Sequence, residues 1–121
     1  MDTISFISTE SGTDLIVAFA VVVPDEPSEI ESLILLRTPK YEPLLDDWER
    51  GVRVSFGNRN DDDDDLLEEV AYTEDDCVVR LKTTGACYEL DVRQVNRQEL
   101  RAMRRVLRKM NCDGRIRLSG V

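Results

Sequence analysis

The chain has 121 residues, of which 41% are hydrophobic and 34% are charged, and it carries 16 Lys and Arg against 25 Asp and Glu for a formal net charge of −9. This length suits one globular domain, and the apolar fraction is too high for a wholly disordered chain. The absence of histidine excludes Ser-His-Asp and Cys-His catalysis, imidazole-ligated zinc and a histidine-based pH switch.

The net charge is divided unevenly along the chain. Residues 1–95 carry 8 basic and 23 acidic side chains, net −15, whereas residues 96–121 carry 8 basic and 2 acidic side chains, net +6. The sequence therefore predicts a single domain, residues 1–121, made of an acidic strand-rich body over 1–95 and a basic helix and tail over 96–121. Such asymmetry can mark an interaction surface, although it also arises where a basic segment simply packs beside an acidic body.

The cysteines and the apolar runs of the sequence bear on the cellular compartment of the protein. Cys77, Cys87 and Cys112 are an odd number without CxxC spacing, which favours free thiols over a disulfide framework. The longest apolar run, Leu15–Val23, is too short for a membrane-crossing helix and lacks the basic flank of a signal peptide. We therefore expect a cytoplasmic protein without a membrane partner. We expect Cys77 and Cys87 to be small core residues and Cys112 to be the more exposed thiol.

The first 95 residues have the pattern of a sheet, with period-two alternation and short apolar runs bounded by turn-forming residues. The predicted strands lie, in chain order, at about 3–8, 15–23, 52–56, 67–73, 77–83 and 86–92. The 15–23 run has no polar interruption, so we expect a central strand that is buried on both faces. Residues 41–50 are expected to form a loop with one short helix, and residues 57–65 a solvated loop. A short strand or an extended tail is expected around 116–118.

The 28–38 run fits two structures. Ser28 and Glu31 match a helix capping box, whereas the apolar residues 33–36 suit a buried strand. We favour the strand, because Pro39 leaves too little length for a stable helix.

Residues 97–110 form the clearest helix in the sequence. Asn96 is a good N-cap, Glu99 stands three residues on as its capping-box partner, and Asn111 marks the exit. On a helical wheel the apolar side chains fall within one arc, and the basic side chains occupy the other side. The basic face consists of Arg97, Arg101, Arg104, Arg105 and Arg108. The sequence as a whole predicts an α+β fold: a mostly antiparallel sheet of about six to seven strands, packed by one C-terminal amphipathic helix.

No pattern in the sequence indicates an enzyme. The run Asp61–Asp65, continued by Glu68 and Glu69, matches an EF-hand calcium loop only in part, because Asp63 stands where that loop requires glycine. Carboxylates are so numerous that no pair of them singles out an acid–base site, and no glycine-rich phosphate loop is present. We therefore expect no catalytic residue, no cofactor and no bound metal.

The acidic surface predicts a partner. We expect a small module that binds another protein, as an immunity protein or an inhibitor of a basic partner does, because a negative field steers a basic partner and can mimic phosphate. The predicted partner-binding residues are Asp61, Asp62, Asp63, Asp64, Asp65, Glu68 and Trp48.

Two other interpretations use the arginine-rich helix. In the first, the protein forms a homodimer in which the arginine face pairs with the acidic face of a second copy. In the second, the helix contacts nucleic acid through its phosphates. Nucleic acid is the less favoured partner, because the acidic body repels it and no aromatic residue lies in the basic segment to stack on a base.

Overall fold

A computed structural model describes residues 1–57 and 65–121, which form a sheet-rich α+β fold with one main helix. The elements are β1 (Asp2–Ser11), β2 (Leu15–Val23), β3 (Glu26–Arg37), β4 (Arg53–Phe56), β5 (Leu67–Thr73), β6 (Val78–Thr83), β7 (Cys87–Asp91), α1 (Arg97–Met110) and β8 (Arg117–Ser119). Two short 3-10 helices, Pro39–Leu44 and Asp47–Glu49, connect β3 to β4. Residues 58–64, and with them four of the five consecutive aspartates, lie outside the described residues.

The ambiguous 28–38 run is a strand, as favoured. It forms most of β3 and pairs antiparallel with β2, with Leu33 opposite Phe19 and Leu35 opposite Val17. All four of these side chains are fully buried, so the apolar residues of the run face the core as strand neighbours. The free energy gained by burying this row of apolar side chains exceeds the stability that a short helix, marginal on its own in water, could supply.

The sheet has eight strands and is mixed, so the prediction of a mostly antiparallel sheet of six to seven strands was wrong in number and in type. The strand order is β4-β3-β2-β1-β7-β6-β5-β8. Two pairings are parallel: β1 with β7, where Asp2 lies opposite Leu90, and β5 with β8, where Glu69 lies opposite Arg117. Parallel neighbours are far apart in sequence and leave no turn signal between them, and β8 has only three residues.

The sheet also wraps back on itself. Arg53 at the start of β4 forms an isolated antiparallel bridge with Leu66, the residue before β5. The backbone N–H of Leu67 donates to the carbonyl of Val52 at 2.9 Å, while the carbonyl of Leu66 accepts from the N–H of Thr84 at 3.0 Å. The entry into β5 is therefore held from both sides, and the strand at one end of the sheet order meets a strand near the other end.

The core lies inside this wrapped sheet and is closed by the helix. Phe19 of β2, Phe56 of β4 and Leu81 of β6 are buried in one cluster. The apolar arc of α1 enters the same cluster with Met103, Val106, Leu107 and Met110. In the described ranges no helix has the length and apolar character needed to cross a bilayer.

The central position of β2 is confirmed, but its burial is uneven. Val17, Phe19 and Val21 are fully buried toward the core, whereas Ile16 and Ala18 on the other face are half-buried. The second face of the strand is therefore covered less completely than the uninterrupted apolar run predicts.

The predicted limits of α1 are confirmed, and its N-terminus makes one contact that the sequence does not indicate. The side-chain oxygen of Asn96 accepts from the N–H of Glu99 at 2.9 Å, as an N-cap does. The Glu99 carboxylate contacts the side-chain amide of Asn96 and accepts from the backbone N–H of Ile7 at 2.7 Å. Glu99 therefore ties the first turn of the helix to β1.

A buried arginine ties the other end of the helix to the sheet. Arg37, at the end of β3, is 2% exposed. Its Nε and Nη2 donate to the two oxygens of Glu42, both at 2.7 Å, and its Nη1 donates to the carbonyl of Met110 at 2.7 Å. Nη1 and Nη2 also donate to the two oxygens of Asp113, at 3.0 and 2.8 Å. Arg37 thus joins β3, the first 3-10 helix and the C-terminus of α1, and its two carboxylate partners raise its pKa.

Removing Arg37 should be far more destabilising than removing an exposed arginine. We expect Arg37→Met to lower the free energy of unfolding by about 3–5 kcal/mol, because it leaves Glu42 without its buried cation. Arg80→Met, which removes an exposed arginine 4.0 Å from Glu89, should cost at most about 1 kcal/mol. Urea denaturation of both variants measures the difference, and equal losses would contradict the role given to Arg37.

The free energy of unfolding at low pH should depend on the ionisation of Asp113. Hydrogen bonds from Arg37 lower the pKa of Asp113 from 3.8 to about 2. A carboxyl whose pKa is lowered by folding stabilises the protein above its unfolded pKa, and that contribution disappears as the pH falls from about 4 to about 2. We expect the difference in unfolding free energy between the wild type and Asp113→Asn to be constant above pH 5 and to shrink below pH 4. A difference that does not change with pH would refute this assignment.

Candidate functional site

Three large apolar side chains are exposed on one short segment. In the Pro39–Glu49 segment, which contains both 3-10 helices, Leu44 is 84% exposed, Trp48 is 71% exposed and Tyr41 is 54% exposed. The other exposed large hydrophobics of the described chain, Met1, Phe6 and Ile30, lie outside this segment. Trp48 was predicted from the sequence as a binding residue, whereas Tyr41 and Leu44 were not.

The Pro39–Glu49 segment is bonded to the body of the protein at both ends. At its start, Glu42 forms the buried pair with Arg37. At its end, Nη1 of Arg115 donates to the carbonyl of Asp47 at 2.8 Å, and the Arg115 guanidinium also contacts the Asp47 carboxylate. Arg50 donates to the carbonyl of Leu45 at 3.2 and 3.3 Å. The exposed side chains therefore stand on a backbone that is held by contacts near both ends of the segment.

One carboxylate connects the two anchors. Asp113 accepts from Arg37 and also forms an ion pair with the Nε of Arg115 at 2.7 Å. A continuous chain of charge-assisted contacts consequently runs from the interior to the surface through Arg37, Asp113, Arg115 and Asp47. The Arg37 end of this chain is buried, whereas the Arg115–Asp47 pair at its other end is exposed to solvent.

Trp48 lies close to the point where the acidic run rejoins the sheet. A small cavity of about 50 Å³ is lined by Trp48, Glu49, Arg53 and Leu66. Leu66 directly follows the five aspartates in the sequence. The structure thus brings Trp48 near one flank of the run, while Asp61, Asp62, Asp63 and Asp64 lie outside the described residues.

Asp65 is not part of a solvated loop, so the predicted loop over 57–65 was wrong at this residue. Asp65 is 1% exposed, and its Oδ1 accepts from Thr84 Oγ1 at 2.8 Å and from the Gly85 N–H at 3.0 Å. Its Oδ2 accepts from Thr83 Oγ1 at 2.9 Å, and its carbonyl accepts from the N–H of Val54 at 3.0 Å. Asp65 therefore binds the β6–β7 turn and the adjoining strand, which makes it a poor candidate for contact with a partner.

Glu68 is exposed on β5. It lines a cavity of about 510 Å³ together with Lys82, Arg115 and Arg117. Three basic side chains and a second carboxylate, Glu69, therefore line the cavity with Glu68. Arg115 also donates to the carbonyl of Asp47, the residue before Trp48.

The basic face of α1 is exposed, as its sequence pattern predicts. Arg97, Arg101, Arg105 and Arg108 are exposed, and Arg104 is half-buried with its guanidinium carbon 5.8 Å from the centre of the Tyr72 ring. Within the part of the chain that the structure describes, no ion pair joins any of these five arginines to a carboxylate. Among the described residues, the helix thus presents five cations without an ion-pair partner.

The cysteine predictions hold only in part. All three thiols are free, as expected, but Cys87 is exposed, and Cys77 is half-buried in a turn with φ 54°. The register of β7 turns Leu90 inward and Cys87 outward, which corrects the expectation of a core residue. Residues 1–57 and 65–121 contain no group of three or more Cys, Asp and Glu side chains arranged to hold a metal ion.

The Pro39–Glu49 segment displays large apolar side chains, carboxylates and one exposed cation, Lys40, whose Nζ lies 5.6 Å from the centre of the Tyr41 ring. Such groups supply contact area and charge to an interface. Comparison of this chain with protein-family models, with curated proteins and with solved structures found no match.

The structural role of Asp65 can be separated from that of exposed carboxylates. We expect Asp65→Ala to lower the free energy of unfolding by about 1–3 kcal/mol, because it removes a buried carboxylate that accepts from the buried Thr83 hydroxyl and from the β6–β7 turn at Thr84 and Gly85. Asp46→Ala, at an exposed position, should change it by about 0.5 kcal/mol at most. Thermal and urea denaturation measure both variants, and an Asp65→Ala protein as stable as the Asp46→Ala protein would contradict this assignment.

Proposed function

We propose that this chain is a non-enzymatic protein-binding module that holds a basic partner on the Pro39–Glu49 segment, in the manner of an immunity protein or an inhibitor. The observation that carries the proposal is the exposure of Leu44, Trp48 and Tyr41 on eleven consecutive residues. Single apolar side chains on a surface need no explanation, whereas a concentration of them marks an interaction site.

The chemistry of these side chains suits an interface centre. Tyrosine and tryptophan are enriched among the residues that dominate binding energy, because each buries a large area at a small cost in rotamer entropy. Leu44 and Trp48 are the most exposed of the three and would bury the most surface against a partner. Because the segment is already fixed by Arg37 and Arg115, little conformational entropy would be lost on binding.

The charge around the segment favours a basic partner. Asp46 is exposed, Glu49 is half-buried, and neither forms an ion pair within the described ranges. The sequence adds Asp61–Asp64 shortly before Leu66, the residue that shares a cavity with Trp48. An acidic surface around an apolar centre raises the association rate with a basic protein and disfavours acidic competitors.

Affinity capture with matched variants tests the proposal. The bait is the full chain, the prey is the soluble lysate of the source cells, and a captured basic protein is then purified and titrated by calorimetry. We expect Leu44→Ala and Trp48→Ala each to weaken binding by about 2 kcal/mol, or roughly 30-fold, as interface centres do. Replacing Asp61–Asp64 with Asn should lower the association rate and flatten its salt dependence.

The control is Phe6→Ala, which removes an exposed aromatic side chain on β1, outside the segment, that is 46% exposed. Binding by this variant should match the wild type. If the Leu44, Trp48 and Phe6 variants capture the same proteins equally well, the proposal is wrong. If the captured species is a second copy of this chain and sedimentation shows a salt-sensitive dimer, the segment is a homodimer contact and the partner proposed here is wrong.

A further inference from the structure

A second surface is built differently from the Pro39–Glu49 segment. A groove of about 680 Å³ runs between the first half of α1 and the turn that joins β5 to β6. Its basic wall carries Arg93, Arg97, Arg101 and Arg104, and Tyr72 and Leu100 supply aromatic and apolar surface inside it. The groove has the size of a ligand site, and it combines cations with apolar surface.

The arginines of the wall follow the period of the helix. Arg97, Arg101 and Arg104 are spaced i, i+4 and i+7, so their side chains leave α1 on one face. Like charges at these spacings repel one another and destabilise an isolated helix. Arg93 is paired with Asp91 at 3.1 Å, but the three helix arginines have no carboxylate partner among the described residues. An anion bound from outside would relieve this repulsion, because no carboxylate of the described residues lies within ion-pair distance of the three helix arginines.

Tyr72 fixes one of these cations in place. The Arg104 guanidinium lies over the Tyr72 ring at 5.8 Å, within the range of a cation–π contact, and Arg104 is half-buried. Burial raises the pKa of Tyr72 above its ordinary value of 10.0, so the phenol is neutral at pH 7 and is able to donate a hydrogen bond to an anion. The groove therefore offers a preorganised cation and a neutral donor side by side.

The spacing of the cations indicates the form of the anion. A helix rises about 1.5 Å per residue, so Arg97 and Arg104 stand roughly 10 Å apart along its axis, with Arg101 between them. In an extended peptide the side chains of one face recur about every 6.7 Å, so two carboxylates at alternate positions fit within the length of this wall. The intervening side chains of such a peptide would lie toward Leu100 and Tyr72.

The surroundings disfavour a denser polyanion. Glu74 and Asp75 are exposed and line the same groove, and the chain carries a net charge of −9. Duplex DNA carries one charge about every 1.7 Å and would be repelled more strongly than a peptide with spaced carboxylates. We infer that this groove binds an extended acidic segment of a partner protein, in which carboxylates alternate with apolar side chains. This site is separate from the Pro39–Glu49 segment and does not depend on the function proposed for it.

Fluorescence anisotropy with defined probes tests the inference. The probe is a labelled, capped heptapeptide that alternates glutamate with valine, and the comparison probes are the same peptide with glutamine for glutamate and a single-stranded oligothymidylate. We expect the wild type to bind the glutamate peptide at least tenfold more tightly than the glutamine peptide, with an affinity that falls as salt is raised. Failure of the wild type to bind the glutamate peptide would overturn the inference, as would tighter binding of the oligothymidylate.

A matched pair of double variants separates the groove from the general charge of the helix. Arg97→Gln with Arg101→Gln removes two cations from the groove wall, whereas Arg105→Gln with Arg108→Gln removes two exposed cations of the same helix outside that wall. We expect the first pair to weaken peptide binding at least tenfold and the second pair less than threefold. Equal losses would mean that only the overall charge matters and would sink the inference. Circular dichroism of both variants, and amide shift changes of Tyr72 and Leu100 on adding peptide to the wild type, distinguish loss of the site from loss of the fold.

Discussion

The guanidinium of Arg37 is the contact on which the positions of the helix and of the Pro39–Glu49 segment depend. An arginine in the interior is tolerated only when its charge is compensated and its donors are satisfied. Here five hydrogen bonds run to Glu42, Asp113 and the carbonyl of Met110, so every N–H direction of the guanidinium is used. Since these acceptors belong to the first 3-10 helix and to the end of α1, satisfying one buried cation places both elements at once.

The same contact explains how a charged interior and a charged exterior coexist. Asp113 compensates Arg37 inside and Arg115 outside, and Arg115 in turn holds Asp47. These charges are paired with one another, whereas the arginines of the α1 face have no ion-pair partner among the described residues. The charged residues of the chain thus fall into two groups. One group forms the network that joins Arg37 to Asp47, and the other is the arginine face of α1, which lacks an ion-pair partner among the described residues.

Local patterns in the sequence predicted local structure well. The N-cap at Asn96 and the limits of α1 depend on residues within one helical turn, and the strands follow from short apolar runs, so both were predictable. The parallel pairings, the bridge at Arg53 and the bond from Ile7 to Glu99 join residues far apart in the chain, and no local pattern marks them.

The candidate sites were predictable only where exposure followed from a pattern. The basic face of α1 was predictable, because the helical period alone separates its arginines from the apolar arc. The burial of Asp65 was not predictable, because nothing in a run of five aspartates indicates which one is bonded to Thr83. The burial of Arg37 was also hidden, since its partner Asp113 lies 76 residues away. Tyr72 comes from β5 and supplies the aromatic contact that the basic segment itself lacks.

We infer that the network from buried Arg37 through Asp113 to exposed Arg115 and Asp47 holds the Pro39–Glu49 segment ready for a partner. Native-state hydrogen exchange tests it most directly, because the N–H groups of Leu45, Glu49 and Arg50 donate to carbonyls within this part of the chain. The account predicts that these amides are protected in the wild type and lose protection in Arg115→Gln, while amides in β2 keep theirs. Amides that exchange freely in the wild type, or that are indifferent to Arg115→Gln, would show that the network does not hold the segment.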